Sequence, residues 1–186
     1  SERTWLSEAP YAALLYPEKR ETIARFWRSP SSGRSLSQKC DFNETLDRLE
    51  DVSQEILSRI NWQDYGLVGL SICFGQLTSA LYFIRHMKQS APELKVIVGG
   101  SACAGDLGLS LLDLFSEIDY VISGEGELPL VDLIKRLFHS DGKGNKEATP
   151  GLFDRNDGLE PDPRGVSQLH DLDQLPIPDY KDYFSL

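Results

Sequence analysis

Three short apolar runs, each ending in a glycine turn, constrain this chain more than any other feature. They read Gly66-Leu-Val-Gly-Leu-Ser-Ile-Cys-Phe-Gly-Gln76, Lys95-Val-Ile-Val-Gly-Gly-Ser-Ala102 and Asp119-Tyr-Val-Ile-Ser-Gly-Glu-Gly-Glu127. Each run is too short for a helix and apolar on both faces, which suits a strand of a parallel sheet covered by helices on both sides. Amphipathic stretches separate the runs, so the unit repeats strand, helix, strand, helix. The expected fold class is α/β, a parallel sheet with helices on both faces. Ligands of such sheets bind where the strands end, and that is where the three glycine turns sit.

The rest of the chain sets limits on partners. Its 186 residues carry 29 acidic against 19 basic side chains, a net charge of −10. That balance counts against nucleic acid or an anionic membrane as the main partner. No apolar stretch approaches the roughly 18 residues of a bilayer span, and no signal peptide opens the sequence, so a cytoplasmic location is expected. The chain opens Ser1-Glu-Arg without a methionine, as either a trimmed chain or the inside of a longer protein would. Cysteines stand at 40, 73 and 103, without the close spacing of a zinc site or an iron–sulfur ligand run, and no metal site within this chain is expected. Reduced thiols are the expectation.

Along the chain, Tyr11 to Trp27 carries enough apolar residues for one or two helices broken near Pro17, followed by a loop from Ser29. Phe42, Leu46, Leu49, Val52, Ile56 and Ile60 recur every three or four residues and predict a helix with that buried stripe, capped by Asp41 or Asn43. Strands are predicted over 66–73, 94–98 and 118–122. Helices are predicted over 77–89, 107–115 and 128–138, the last with Pro129 in its first turn. Residues 140–149 read as a polar surface connection, and Gly151 to Arg155 as an edge strand leading into a turn at Asn156-Asp-Gly158. The proline- and acid-rich tail reads as an extended linker. Three units result: a helical extension over 1–40, an α/β domain over 41–159 and a linker over 160–186.

The turns suggest two uses. Gly99-Gly100 lets the backbone approach a ligand or turn with positive φ. Gly124-Glu-Gly-Glu127 meets a helix start, where free N–H groups hold an anion or polar head group, and Glu127 favours the positive end of the dipole. One such turn is explained by a tight strand-to-helix connection alone; three at one sheet edge point to ligand binding. Neither the dinucleotide fingerprint nor the phosphate-binding glycine–lysine loop is present.

Val68-Gly-Leu-Ser71, Val98-Gly-Gly-Ser101 and Asp119 to Glu127, in this order and spacing, resemble the cobalamin-binding domain that precedes the catalytic domain of cobalamin-dependent radical S-adenosylmethionine enzymes. The segment Asp171-Leu-Asp-Gln-Leu-Pro-Ile-Pro-Asp179 resembles the lead into the radical domain. Ser71 to Gln76 and Tyr16-Pro17 are similar to the subgroup that matures ribosomal peptides, which implies a peptide substrate for the parent enzyme. The resemblance implies a flavodoxin-like or Rossmann-like sheet seating cobalamin. Ser71, Ile72, Cys73 and Phe74 would lie beneath the corrin, Gly99, Gly100, Ser101 and Ala102 would line the nucleotide-tail cleft, and Gly124, Glu125, Gly126 and Glu127 would form a third wall. S-adenosylmethionine and a 4Fe-4S cluster would belong to the radical domain, whose three-cysteine signature this chain lacks, so no catalytic residue is expected here.

Two departures from that family stand out. The motif supplying a lower-face histidine in other cobalamin proteins is absent, and His86, His139 and His170 read as solvated residues. The usual opening strand has no clear counterpart; Ala12-Ala-Leu-Leu-Tyr-Pro17 is the nearest candidate. Cys73 reads as a small buried apolar residue. Asp171, Asp173, Asp179 and Asp182 read as solvated linker acids rather than a catalytic pair. A cofactor-free docking or substrate-recognition module, and a binding domain for another nucleotide-tailed ligand, remain as alternative functions.

Overall fold

The computed structural model describes residues 2–29, 40–138, 149–155, 166–171, 173 and 175–185. Its centre is a four-stranded sheet in the order β1 (Leu67–Ser71), β2 (Lys95–Gly99), β3 (Tyr120–Ile122), β4 (Leu152–Asp154). The first three strands run parallel, and β4 closes one side antiparallel to β3. Helices α1 (Glu2–Leu15), α2 (Arg20–Trp27) and α3 (Phe42–Ser58) precede the sheet. Helices α4 (Leu77–Ser90) and α5 (Asp106–Leu114) cross between the parallel strands, α6 (Glu127–Phe138) follows β3, and a four-residue α7 (Lys181–Phe184) lies in the tail. The α/β class expected from the three apolar runs is the class observed, and the sheet is consistent with the flavodoxin-like form that the resemblance implies.

The strand alternation separates two cores. Val96, Val98, Val121 and Phe153 point to one face and pack with Leu81, Ile84 and Met87 of α4, Leu111 and Leu112 of α5, Leu57 of α3 and Leu15 of α1. Ile97, Ile122 and Leu152 point to the other face, where Leu133 of α6 covers them. Val96, Val98, Ile118 and Val121 are completely buried, and each such side chain stabilises the fold by about 1.5–3 kcal/mol relative to exposure.

Long-range polar contacts tie the N-terminal helices to this frame. The Glu8 carboxylate of α1 accepts the Leu77 and Thr78 N–H groups at 2.9 and 2.7 Å, supplying the cap that Gln76 does not give α4. Arg85 of α4 donates to the Leu15 carbonyl at 3.2 Å and pairs with Glu117 at 3.4 Å. Asp41 caps α3 as expected, accepting from the N–H groups of Asn43 and Glu44.

Several expectations change. Residues 12–15 are helical, so the candidate opening strand is the end of α1. The buried stripe of α3 is Phe42, Leu46, Ser53 and Leu57, while Val52, Ile56 and Ile60 are exposed. That buried face is the one α3 turns to the N-terminal helices: Phe42 and Leu46 pack with Ala9, Ala13 and Trp27, and the Tyr11 hydroxyl and Ser53 Oγ share a hydrogen bond of 2.9 Å. The tail is not wholly solvated: Ser167 is buried, and its N–H donates to the Ser123 carbonyl at 3.0 Å. His139, the turn at 156–158 and most of the polar connection at 140–149 lie outside the described residues.

Candidate functional site

Because β1, β2 and β3 are parallel, the turns that follow them gather at one sheet edge. There the glycines divide into two sets. Gly100 has φ 93°, and a Cβ on it would lie 2.6 Å from the Ile72 carbonyl oxygen and 2.8 Å from its nitrogen. Around it, Ile72 N–H donates to the Gly99 carbonyl at 2.7 Å and Ala102 N–H to the Ile72 carbonyl at 3.0 Å. Gly124 has φ 99°, and its Cβ would strike the Ser167 backbone at 2.3 Å. Both positions need glycine for the backbone itself.

Gly69, Gly99 and Gly126 differ. None has a positive φ, and a Cβ on them would meet its nearest neighbours at only 3.4, 3.7 and 3.9 Å. The backbone tolerates a side chain at each; what glycine provides is room. These three border an open cavity of about 370 Å³ on the α6 side of the sheet, walled by Ile97, Ile122 and Leu130. Ser71 carries the only polar side chain among the described lining residues, and no charged side chain lines it. The floor is thus glycine backbone and aliphatic surface with a single side-chain hydroxyl, suited to a flat, uncharged group.

Of the residues expected from sequence, Ser71, Gly99, Gly100, Gly124 and Gly126 line this cavity. Ile72 and Ala102 do not line it; both are buried in the core on the α4 and α5 face. Cys73, Phe74, Ser101, Glu125 and Glu127 are exposed and do not line it. Cys73 is therefore not the buried apolar residue expected. The turn at Gly75 (φ 85°) swings it outward, and its N–H donates to Gln76 Oε1 at 3.0 Å. The buried thiol is Cys103, whose pKa burial alone pushes up to about 11. Glu125 is engaged by the tail: its carboxylate accepts the Leu169 N–H, and its own N–H donates to the Ser167 carbonyl at 2.9 Å.

Sequence reasoning missed Gly69, Leu70, Ile97, Val98, Ile122 and Leu130. Gly69 carried a readable signal, since a glycine inside a strand marks a close approach or open space; the others look like ordinary core. His86 Nδ1 lies 2.8 Å from the Tyr82 carbonyl and its ring stacks at 4.2 Å on Tyr82, which removes it from the solvated class. His170 is exposed. Among the described residues, no three His, Cys, Asp or Glu side chains gather as a metal-binding group, and no helix is long and apolar enough to cross a membrane. No protein-family profile, curated protein or solved structure matches this chain.

Proposed function

We propose that this chain is a cofactor-seating module, and that the cofactor is cobalamin serving a radical S-adenosylmethionine domain of a larger methyltransferase-type enzyme. The observation that carries the reading is the cavity held open by Gly69, Gly99 and Gly126, three glycines that the backbone does not require. Its volume of about 370 Å³ falls near the lower end of the ~300–1,000 Å³ of small-molecule sites. That suits the nucleotide tail rather than a whole corrinoid. Ser71 would offer that tail its hydroxyl, Ile97, Ile122 and Leu130 its apolar walls, and the exposed Cys73 and Phe74 would meet the remaining surface. When bound, cobalamin supplies a cobalt that carries a methyl group or electrons, and the chemistry belongs to the partner domain. A cleft filled by Phe74, Tyr120 or the tail would favour docking instead. Neither Phe74 nor Tyr120 lines the cavity, and Phe74 is 76% exposed.

The cofactor-free docking module has one observation of its own: the tail segment 166–169, not open space, engages Gly124 and Glu125. Titration with hydroxocobalamin, followed by gel filtration and a visible spectrum, separates the two readings. Retention by the native chain, weakened at least tenfold by Gly99→Trp with an unchanged far-ultraviolet circular dichroism spectrum, is the expected result. A folded chain that passes through without cobalamin overturns the cofactor reading in favour of docking.

A further inference from the structure

The sheet has two edges, the five-residue β1 and the three-residue β4, and β1 is the longer. On the far side from β4, β1 is an edge strand, and in a parallel ladder alternate residues direct their N–H and C=O groups to opposite neighbours. The Gly66 carbonyl accepts from Lys95 N–H and Ile72 N–H donates to Gly99, so Val68 and Leu70 face β2. Leu67, Gly69 and Ser71 then face outward, and no described residue pairs with that side of β1. Gly69 and Ser71 are exposed. Proteins blunt such an edge with lysine, proline or a bulge; Leu67-Val-Gly-Leu-Ser71 carries neither residue and pairs in unbroken register with β2.

The helix layer is unfinished at the same place. Along α6, outside the cavity, Val131, Ile134 and Phe138 are 49, 38 and 52% exposed. The Phe138 ring reaches back over Gly66, passing 2.5 Å from where a Cβ would stand. This apolar flank borders the side of the sheet on which Gly69 and Ser71 are bare.

We propose that the β1 edge is a strand-addition site for an extended segment of a partner polypeptide, with a helix next to that strand lying along the exposed flank of α6. Unpaired backbone groups in a row specify a backbone partner, because only another strand satisfies them together. A second copy of this chain fits poorly. Paired about a two-fold axis at about 4.8 Å per strand, the two α6 helices would stand roughly 20 Å apart, about twice the packing distance of helices, and both flanks would stay bare. It would also join two molecules of net charge −10. The fitting partner is a neutral or basic polypeptide presenting an apolar strand beside an amphipathic helix.

Residue-resolved amide exchange tests this, with a synthetic peptide carrying the β2 sequence Leu94–Gly100 between lysines as the strand probe. In the free chain the amides of Leu67, Gly69 and Ser71 should exchange at least tenfold faster than those of Val68 and Leu70. Millimolar peptide should slow the outward set at least tenfold. Gly69→Pro removes an outward N–H, and its ring also enters the cavity that Gly69 borders, so edge protection and not cofactor retention is the readout; it should abolish that slowing while keeping cooperative unfolding, and should it fail to fold, Gly69→Lys, which places a charge beside the edge, gives the same readout. Equal protection of both sets in the free chain, no slowing by millimolar peptide, or equal slowing in the folded variant each overturns the proposal. Protection of the outward set that rises with protein concentration alone assigns the edge to a second copy, and overturns the choice of partner.

Discussion

The two ends of the parallel strands are built on opposite plans. At the N-terminal ends, Asp119 accepts from Lys88 Nζ at 2.7 Å, Lys95 Nζ at 3.2 Å and the Val96 N–H at 2.9 Å. Nearby, Arg155 donates to the carbonyls of Phe115 and Ile118, joining β4 to the approach to β3. At the C-terminal ends the side chains withdraw: Gly69, Gly99 and Gly126 leave a cavity, and Gly100 and Gly124 make the turns. One end concentrates charge pairing that fixes the strands relative to each other. The other keeps space and backbone freedom where a ligand fits.

Breaking the stapled end should have the largest effect. Asp119→Ala leaves Lys88, 16% exposed at its side chain, without its partner. Removing one member of a buried pair costs about 3 kcal/mol, a fall of roughly 6–12 °C in Tm for a chain of this size, measured by thermal unfolding. Lys95, 45% exposed, contributes little to that figure. The same carboxyl sets a pH dependence. Burial pushes its pKa up, but the bonds from Lys88, Val96 N–H and Lys95 outweigh burial and hold it below the ordinary Asp value. Its stabilisation is therefore fully present above about pH 4, the unfolded value, and is lost as pH falls through the lower folded value. Melting curves of the native chain and Asp119→Ala should converge below that range.

Gly100→Ala comes next, because it puts a Cβ 2.6 Å from a backbone oxygen at φ 93°; a cost of about 2 kcal/mol is expected from strain of this kind. Glu8→Ala follows, at about 1 kcal/mol, as a lost helix cap. Both are read by urea unfolding. A Glu8→Ala effect larger than that of Asp119→Ala would reverse the comparison, placing the rigid anchor at the open end.

How much of this was legible in the sequence follows the range of the interactions. The strands and their helices were legible because a strand buried on both faces writes itself as a continuous apolar run, and each turn announces itself with glycine. The face that α3 buries was not, because it is set by contacts with α1 and α2, such as Tyr11 with Ser53, 42 residues apart, and periodicity alone favours Val52, Ile56 and Ile60. Cys73 sits among apolar neighbours, so only the path of the turn at Gly75 reveals its exposure. In the site, the presence of glycines was legible and their reasons were not. Whether a glycine serves φ or room depends on what a Cβ would touch, and for Gly100 and Gly124 that is the backbone of Ile72 and Ser167, distant in sequence.

That distinction yields the smallest stability effect and the sharpest comparison, between adjacent glycines. Gly99→Ala meets nothing nearer than Ile122 at 3.7 Å. It also removes conformational freedom from the unfolded chain, which by itself favours folding by about 0.4–1 kcal/mol. Stability should therefore stay level or rise by less than about 1 kcal/mol, in contrast to the loss at Gly100. Yet the new methyl group enters the cavity, so hydroxocobalamin retention should fall while the melting temperature does not. A Gly99→Ala chain as destabilised as Gly100→Ala would mean that both glycines serve the backbone, and the open end of the sheet would then be a by-product of its turns rather than a built site.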